Sequence, residues 1–146
     1  MEHSPTHEHR IVVGVDGSDD SAKALEWASH QAELTDSSVE IVSTWKMPSS
    51  YGWASMPIHY NPVADVKEKL GRIVDQARSE HPGVSYDVTI AEGDAAPCLL
   101  ERSKNAALLV VGTRGHGGFT GLLLGSVSMH CATHAHCPVV ILRAER

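Results

Sequence analysis

A chain of 146 residues has the length of one ordinary domain, and a 42% apolar share is enough for a single core. No apolar run approaches the ~20 residues that cross a bilayer, and the opening MEHSPTHEHR lacks the apolar stretch of a signal peptide. A formal net charge of −6 provides no basic footprint for nucleic acid or an anionic membrane. The cysteines, Cys98, Cys131 and Cys137, are odd in number and form no C-x-x-C pair, so they read as reduced thiols. The expectation is a soluble cytoplasmic protein with no nucleic-acid or membrane partner. Residues 1–9 form a polar, flexible tail and residues 10–146 the domain.

Ile11–Val15 is a short, continuous apolar run of the kind that forms a strand buried on both faces. Ser18 then stands as an N-cap, with Asp19 and Asp20 in the first turn, where the helix dipole favours negative charge. Ala22, Leu25, Ala28 and Ala32 recur at helical spacing. Val39–Trp45 is a second strand, and the polar and aromatic loop after it, from Met47 to Asn61, is long enough to suggest function or a partner. Asn61-Pro62 opens a helix whose buried stripe is Val63, Val66, Leu70, Ile73 and Ala77. In Val84–Ile90, apolar Val84, Tyr86, Val88 and Ile90 alternate with Ser85, Asp87 and Thr89, which suits an edge strand with one wet face. A short helix follows Asp94, Ala107–Gly112 is a fourth strand, Ser126 to His134 is helical, and Pro138–Leu142 is the last strand. This alternation implies a parallel sheet with helices on both faces. With the first and fourth strands as neighbours, strand order reverses between them, so Asp16 and Gly112 meet at a crevice where ligands bind.

The fourth strand runs into a glycine-dense segment with the spacing Gly112-x2-Gly115-x9-Gly125-Ser126. Gly112 and Gly115 permit a turn with positive φ and close approach of an anion to the main chain. Gly125-Ser126 stands where a helix begins, so N–H groups and the positive dipole end point at the loop's occupant. Ser126 and Ser128 add hydroxyl donors, and Arg114 is the one full positive charge of the stretch. The physical reading is a phosphate site; the plain alternative is a mobile glycine linker. G-x-x-x-x-G-K-[ST] and G-x-G-x-x-G are both absent, which excludes the common NTPase loop and weakens a dinucleotide reading.

VVGVDGS at the first strand, IVSTW at the second and the G-x2-G-x9-G-[ST] spacing occur in the order found in universal stress proteins of the ATP-binding branch, which the chain resembles from Arg10 to Arg143. The resemblance implies a single α/β domain with a five-stranded parallel sheet of order 3-2-1-4-5, Rossmann-like, in homodimers joined through the last strand. It also implies ATP with Mg²⁺ or Mn²⁺ as the ligand of a stress-response regulator. By position, Asp16 lies near ribose and phosphates and is the possible contact to the metal, with Gly17 and Ser18 beside it. Thr44 matches the residue whose backbone meets adenine. Val111, Gly112, Arg114, Gly115, Gly125, Ser126, Val127 and Ser128 match the residues around ribose and triphosphate. An apolar edge strand leaves its N–H and C=O groups open to pairing. A twofold partner offering the same strand closes that edge, placing Val139, Val140 and Ile141 at the contact.

Two other functions fit parts of the pattern. A sensor of a cyclic nucleotide such as cAMP would fill only part of the anion loop. An adenylate-forming enzyme finds an echo in VDGSDDS, which lacks the tandem glycine of the S-G-G-x-D-S loop, and the chain has no room for an acceptor-substrate domain. Efficient phosphoryl transfer is not expected, because the loop offers one arginine, no lysine and no evident base. His130 and His134, four apart with His136 and Cys137 beyond, have a spacing that binds zinc, but the dipole at a helix C-terminus also favours histidine, and no metal site is assigned. His116 reads as a solvent-facing loop residue. Tyr51 and Trp53 are candidates to stack on adenine, whereas Trp45 ends a strand and is expected to pack.

Overall fold

The computed structural model describes residues 9–47, 61–113 and 125–143. The strands are β1 (Arg10–Gly14), β2 (Ser38–Trp45), β3 (Tyr86–Glu92), β4 (Leu108–Gly112) and β5 (Val139–Leu142). The helices are α1 (Asp19–Thr35), α2 (Pro62–Glu80), α3 (Ala95–Arg102) and α4 (Ser126–His134). All strand pairs are parallel and the order is β3-β2-β1-β4-β5, as the resemblance implied. Arg114, Gly115, His116, Tyr51, Trp53, residues 1–8 and most of the Met47–Asn61 loop lie outside the described residues.

The continuous apolar runs of β1 and β4 exist because both faces of these central strands are covered. Ile11 and Val13 face α1 and α2, together with Ile41 and Val110. Val12 faces α3 and α4, together with Val42, Leu109 and Val111. β5 divides in the same way: Val140 and Leu142 pack on the first cluster, Val139 and Ile141 on the second, and all four remain half-buried. Pro138 has no N–H for the ladder, and β5 starts after it, although its carbonyl accepts from Leu109 N–H at 3.0 Å.

Four details differ from the expected pattern, the first in α2, where Leu70, Val74 and Ala77 are buried while Val63, Val66 and Ile73 are half-buried. Ala22 is exposed; the buried face of α1 is Ser21, Ala24, Leu25, Ala28, Ser29 and Ala32, with small residues that let the helix lie close to the sheet. Val84 belongs to the turn before β3, its N–H donating to His81 O at 3.1 Å, and the strand continues to Glu92. Val88 is 43% exposed, on β3 at the edge of the sheet, where it faces an open groove beside α2. Lys67, Leu70, Gly71, Val74, Val88 and Ile90 line this groove of about 350 Å³.

Candidate functional site

β1 and β4 are hydrogen-bonded neighbours, and the helices that follow them leave toward opposite faces: α1 covers Val13 and Val110, α4 covers Val111. The crevice at their carboxyl ends is therefore a topological switch point, the usual ligand position in open α/β sheets. Asp16, Gly17 and Ser18 form one wall, and Gly112, Thr113 and the start of α4 the other.

On the first wall the exposed Asp16 accepts Ser18 N–H at 2.9 Å through Oδ1, and Gly17 takes φ 87°, a conformation that side chains disfavour. Ser18 caps α1, its Oγ accepting Ser21 N–H at 3.2 Å. Ser21 Oγ in turn donates to Ser18 O at 3.0 Å and lies 3.2 Å from Asp16 N–H, which donates to it. With Asp19 and Asp20 in its first turn, the positive end of α1 is already answered by protein groups.

The second wall is different. Gly125 is the N-cap of α4 and has no side chain to offer the first-turn N–H groups, and no acidic residue stands in that turn. Ser126 is exposed, so its hydroxyl and the dipole end of the helix face outward together. Val127 packs toward the core and Val111 is buried, which leaves each of them only main-chain groups to present. Ser128 is 2% exposed, and its Oγ donates to Thr113 O at 2.8 Å. Its single hydroxyl hydrogen is thus committed inward, and Ser128 serves the loop base rather than standing as an outward donor.

Gly112 has no positive φ, contrary to the expectation from its place before the loop; among described glycines only Gly17 and Gly93 do. It is needed for closeness instead, since a Cβ there would lie 2.5 Å from Asp20 Cβ and 2.9 Å from its carbonyl carbon. Thr113, which the motif did not single out, donates from Oγ1 to Asp20 Oδ2 at 2.6 Å. The signal available in sequence was only its place between Gly112 and Arg114.

Thr44 is half-buried near the end of β2, beside Trp45, whose carbonyl accepts from Gly93 N–H at 2.8 Å. Lys46, at the same end of the sheet, pairs with Asp94 at 2.8 Å; that hydrogen bond, with the charge of Asp94, raises the ammonium above its ordinary value.

The histidine constellation continues along α4 from the crevice wall without forming a ligand cluster among the described residues. The His130 and His134 rings are 6.3 Å apart, and His130 Nδ1 lies 2.9 Å from Ser126 O. Burial raises all three thiols, Cys131 to about 11, which keeps them protonated at neutral pH. Among the described residues the one convergence of three ligand-type side chains is Glu26, Glu80 and His81, none of them in that segment. Away from the crevice, Glu40 is buried in β2 and held by Arg10 at 2.7 Å, Arg102 at 2.6 Å and Thr89 Oγ1 at 2.6 Å.

The comparisons agree with this architecture. The model of the universal stress protein family matches residues 8–143. Universal stress protein Rv2623 of Mycobacterium tuberculosis is 34% identical over 144 residues, covering 92% of this chain and 48% of its own length. The chain thus spans about half the length of the mycobacterial relatives it matches. Universal stress protein YxiE of Bacillus subtilis is 34% identical over 146 residues, covering 92% of this chain and 99% of that protein. A universal stress protein crystallised with cAMP superposes with a TM-score of 0.71 at 26% identity, over 96% of this chain and 100% of the other. With the five-stranded parallel sheet and the glycine-framed crevice, these matches place the chain in the universal stress protein family.

Proposed function

We propose that the protein is a nucleotide-dependent stress-response regulator that holds ATP, with Mg²⁺ or Mn²⁺ on its phosphates, in the crevice between β1 and β4. The observation that carries this reading is the contrast between two helix N-termini. That of α1 is capped by Ser18 and neutralised by Asp19 and Asp20, whereas that of α4 begins at a glycine and has no acid in its first turn. The phosphates take the α4 side, against main-chain N–H groups of Ser126, Val127 and Ser128 and the Ser126 hydroxyl. Val111, Gly112 and Gly125 belong to the same wall, and Arg114 and Gly115, outside the described residues, are assigned to the phosphates by their place in the motif. Asp16, Gly17 and Ser18 take the ribose side, and the Asp16 carboxylate is a hard oxygen ligand suited to the metal. The backbone of Thr44 meets the adenine. No lysine lies between Gly112 and Ser128, so the site supports holding the triphosphate, with slow hydrolysis at most.

A cAMP sensor is the second reading, favoured by the 26% identical relative crystallised with cAMP. Mass spectrometry of nucleotide carried through purification, followed by competitive calorimetry, separates the two. ATP binding at least tenfold tighter than cAMP is the expected result. Tighter binding of cAMP would transfer the site to the second reading, and binding of neither would remove both.

A further inference from the structure

The carboxylate of Asp20 has an unusual use for a first-turn acid. Such a residue ordinarily answers the N–H groups of its own helix, yet Asp20 Oδ2 accepts from the hydroxyl of Thr113, 93 residues away in sequence, at 2.6 Å. Thr113 is 6% exposed and all its polar groups are engaged. Its N–H donates to Leu142 O at 2.9 Å; its carbonyl accepts from Gly125 N–H at 2.6 Å and from Ser128 Oγ at 2.8 Å. One residue therefore joins β4, β5, the first turn of α1 and the N-terminus of α4. The Gly125 contact also fastens the residue after the 114–124 segment to the residue before it.

We infer that Asp20 is a positioning residue for the anion site, fixing through Thr113 the placement of the α4 N-terminus relative to the Asp16–Ser18 wall. This rests on the proposed nucleotide function for its ligand, but the clamp itself is a matter of geometry. A carboxylate facing a triphosphate would repel it; here a short charge-assisted hydrogen bond engages that carboxylate with the wall it holds. The main-chain approach at Gly112 leaves no slack, since any Cβ there meets Asp20. Asp20 acts through Thr113 and is not itself proposed to touch the nucleotide.

The test compares Thr113→Val, Thr113→Ser and Asp20→Ala with wild type by calorimetry with ATP and Mg²⁺. Thr113→Val keeps the shape and loses the donor, and should bind ATP at least tenfold more weakly; Thr113→Ser keeps the donor and should stay within about twofold. Asp20→Ala separates the clamp from simple charge: removing an anion should tighten ATP binding if charge alone matters, and weaken it if the clamp matters. Thr113→Val equal to Thr113→Ser, or tighter binding by Asp20→Ala, would overturn the inference. Should wild type bind no adenine nucleotide, the functional reading fails and tryptic cleavage after Arg114 decides the clamp. Faster cleavage in Thr113→Val than in Thr113→Ser supports it, and equal rates overturn it.

Discussion

Gly112 and Asp20 approach so closely that a Cβ on the glycine would lie 2.5 Å from the Cβ of the aspartate. The end of β4 and the first turn of α1 are in main-chain contact there, and no rotamer change relieves the overlap. Gly112→Ala should therefore cost about 1–3 kcal/mol of stability, the range for overpacking a close-packed site. Gly71, in the middle of α2, has nothing within 4 Å of its would-be Cβ. Gly71→Ala should be stabilising by about 0.5–1 kcal/mol, from helix propensity alone. Urea denaturation of the two variants checks both signs.

His81 links the C-terminus of α2 to α1, with Nδ1 2.9 Å from Glu33 and Nε2 3.3 Å from Glu26. The Glu33 hydrogen bond raises the imidazole above its ordinary 6.5; burial opposes this and Glu26 adds to it. Glu80 of α2 converges on the same group, and Tyr86 of β3, itself raised mainly by burial, feels all three carboxylates. A histidine whose folded value exceeds its unfolded one stabilises fully below about pH 6.5. That contribution is lost as pH rises through the folded value. Melting temperature should fall from pH 6 upward in wild type, and this fall should be smaller in His81→Gln. Equal slopes in the two proteins would contradict the assignment.

Glu40 is a buried carboxylate with two arginines and a threonine around it. Arg10 holds it at 2.7 Å while donating also to the carbonyls of Arg102 and Lys104, both at 3.1 Å. Arg10→Ala removes one charge-assisted contact from a carboxylate that keeps Arg102 and Thr89, so it should cost about 1.5–3 kcal/mol. Lys46→Ala, which breaks the exposed pair with Asp94, should leave stability unchanged within error. Thermal and urea denaturation of the two variants provides the comparison.

The strands were legible because a parallel sheet covered on both faces needs continuous apolar runs, and Ile11–Val15 and Ala107–Gly112 supply them. Helix starts were legible where a short polar residue precedes them, as at Ser18 and Asn61, whose side chains accept first-turn N–H groups. What stayed hidden depends on partners far away in sequence. Glu40 interrupts an apolar strand, and only the fold brings Arg10, Thr89 and Arg102 to it. Asp20 read as ordinary helix-start chemistry, and its bond to Thr113 exists only once β4 lies beside α1. Val88 looked inward by alternation, but alternation cannot report that the groove between β3 and α2 stays open over it.

The apolar strand β5 lies at one edge of the sheet, and Val139, Val140, Ile141 and Leu142 are each half-buried within one chain. We expect a homodimer through Val139, Val140 and Ile141, closing an edge that would otherwise invite aggregation. Light scattering at micromolar concentration should give twice the chain mass, and Val140→Lys should give monomer or insoluble protein. A monomeric wild type would count against this contact.

Ser126→Asp sets a protein charge against phosphate at the N-terminus of α4. An acid in the first turn of a helix is favourable to the fold, by about 0.3–1 kcal/mol. The same charge occupies the place assigned to the phosphates. Ser126→Asp should melt at or above the wild-type temperature and bind ATP at least tenfold more weakly by calorimetry. A variant equally stable and with unchanged ATP affinity would contradict phosphate binding at that site.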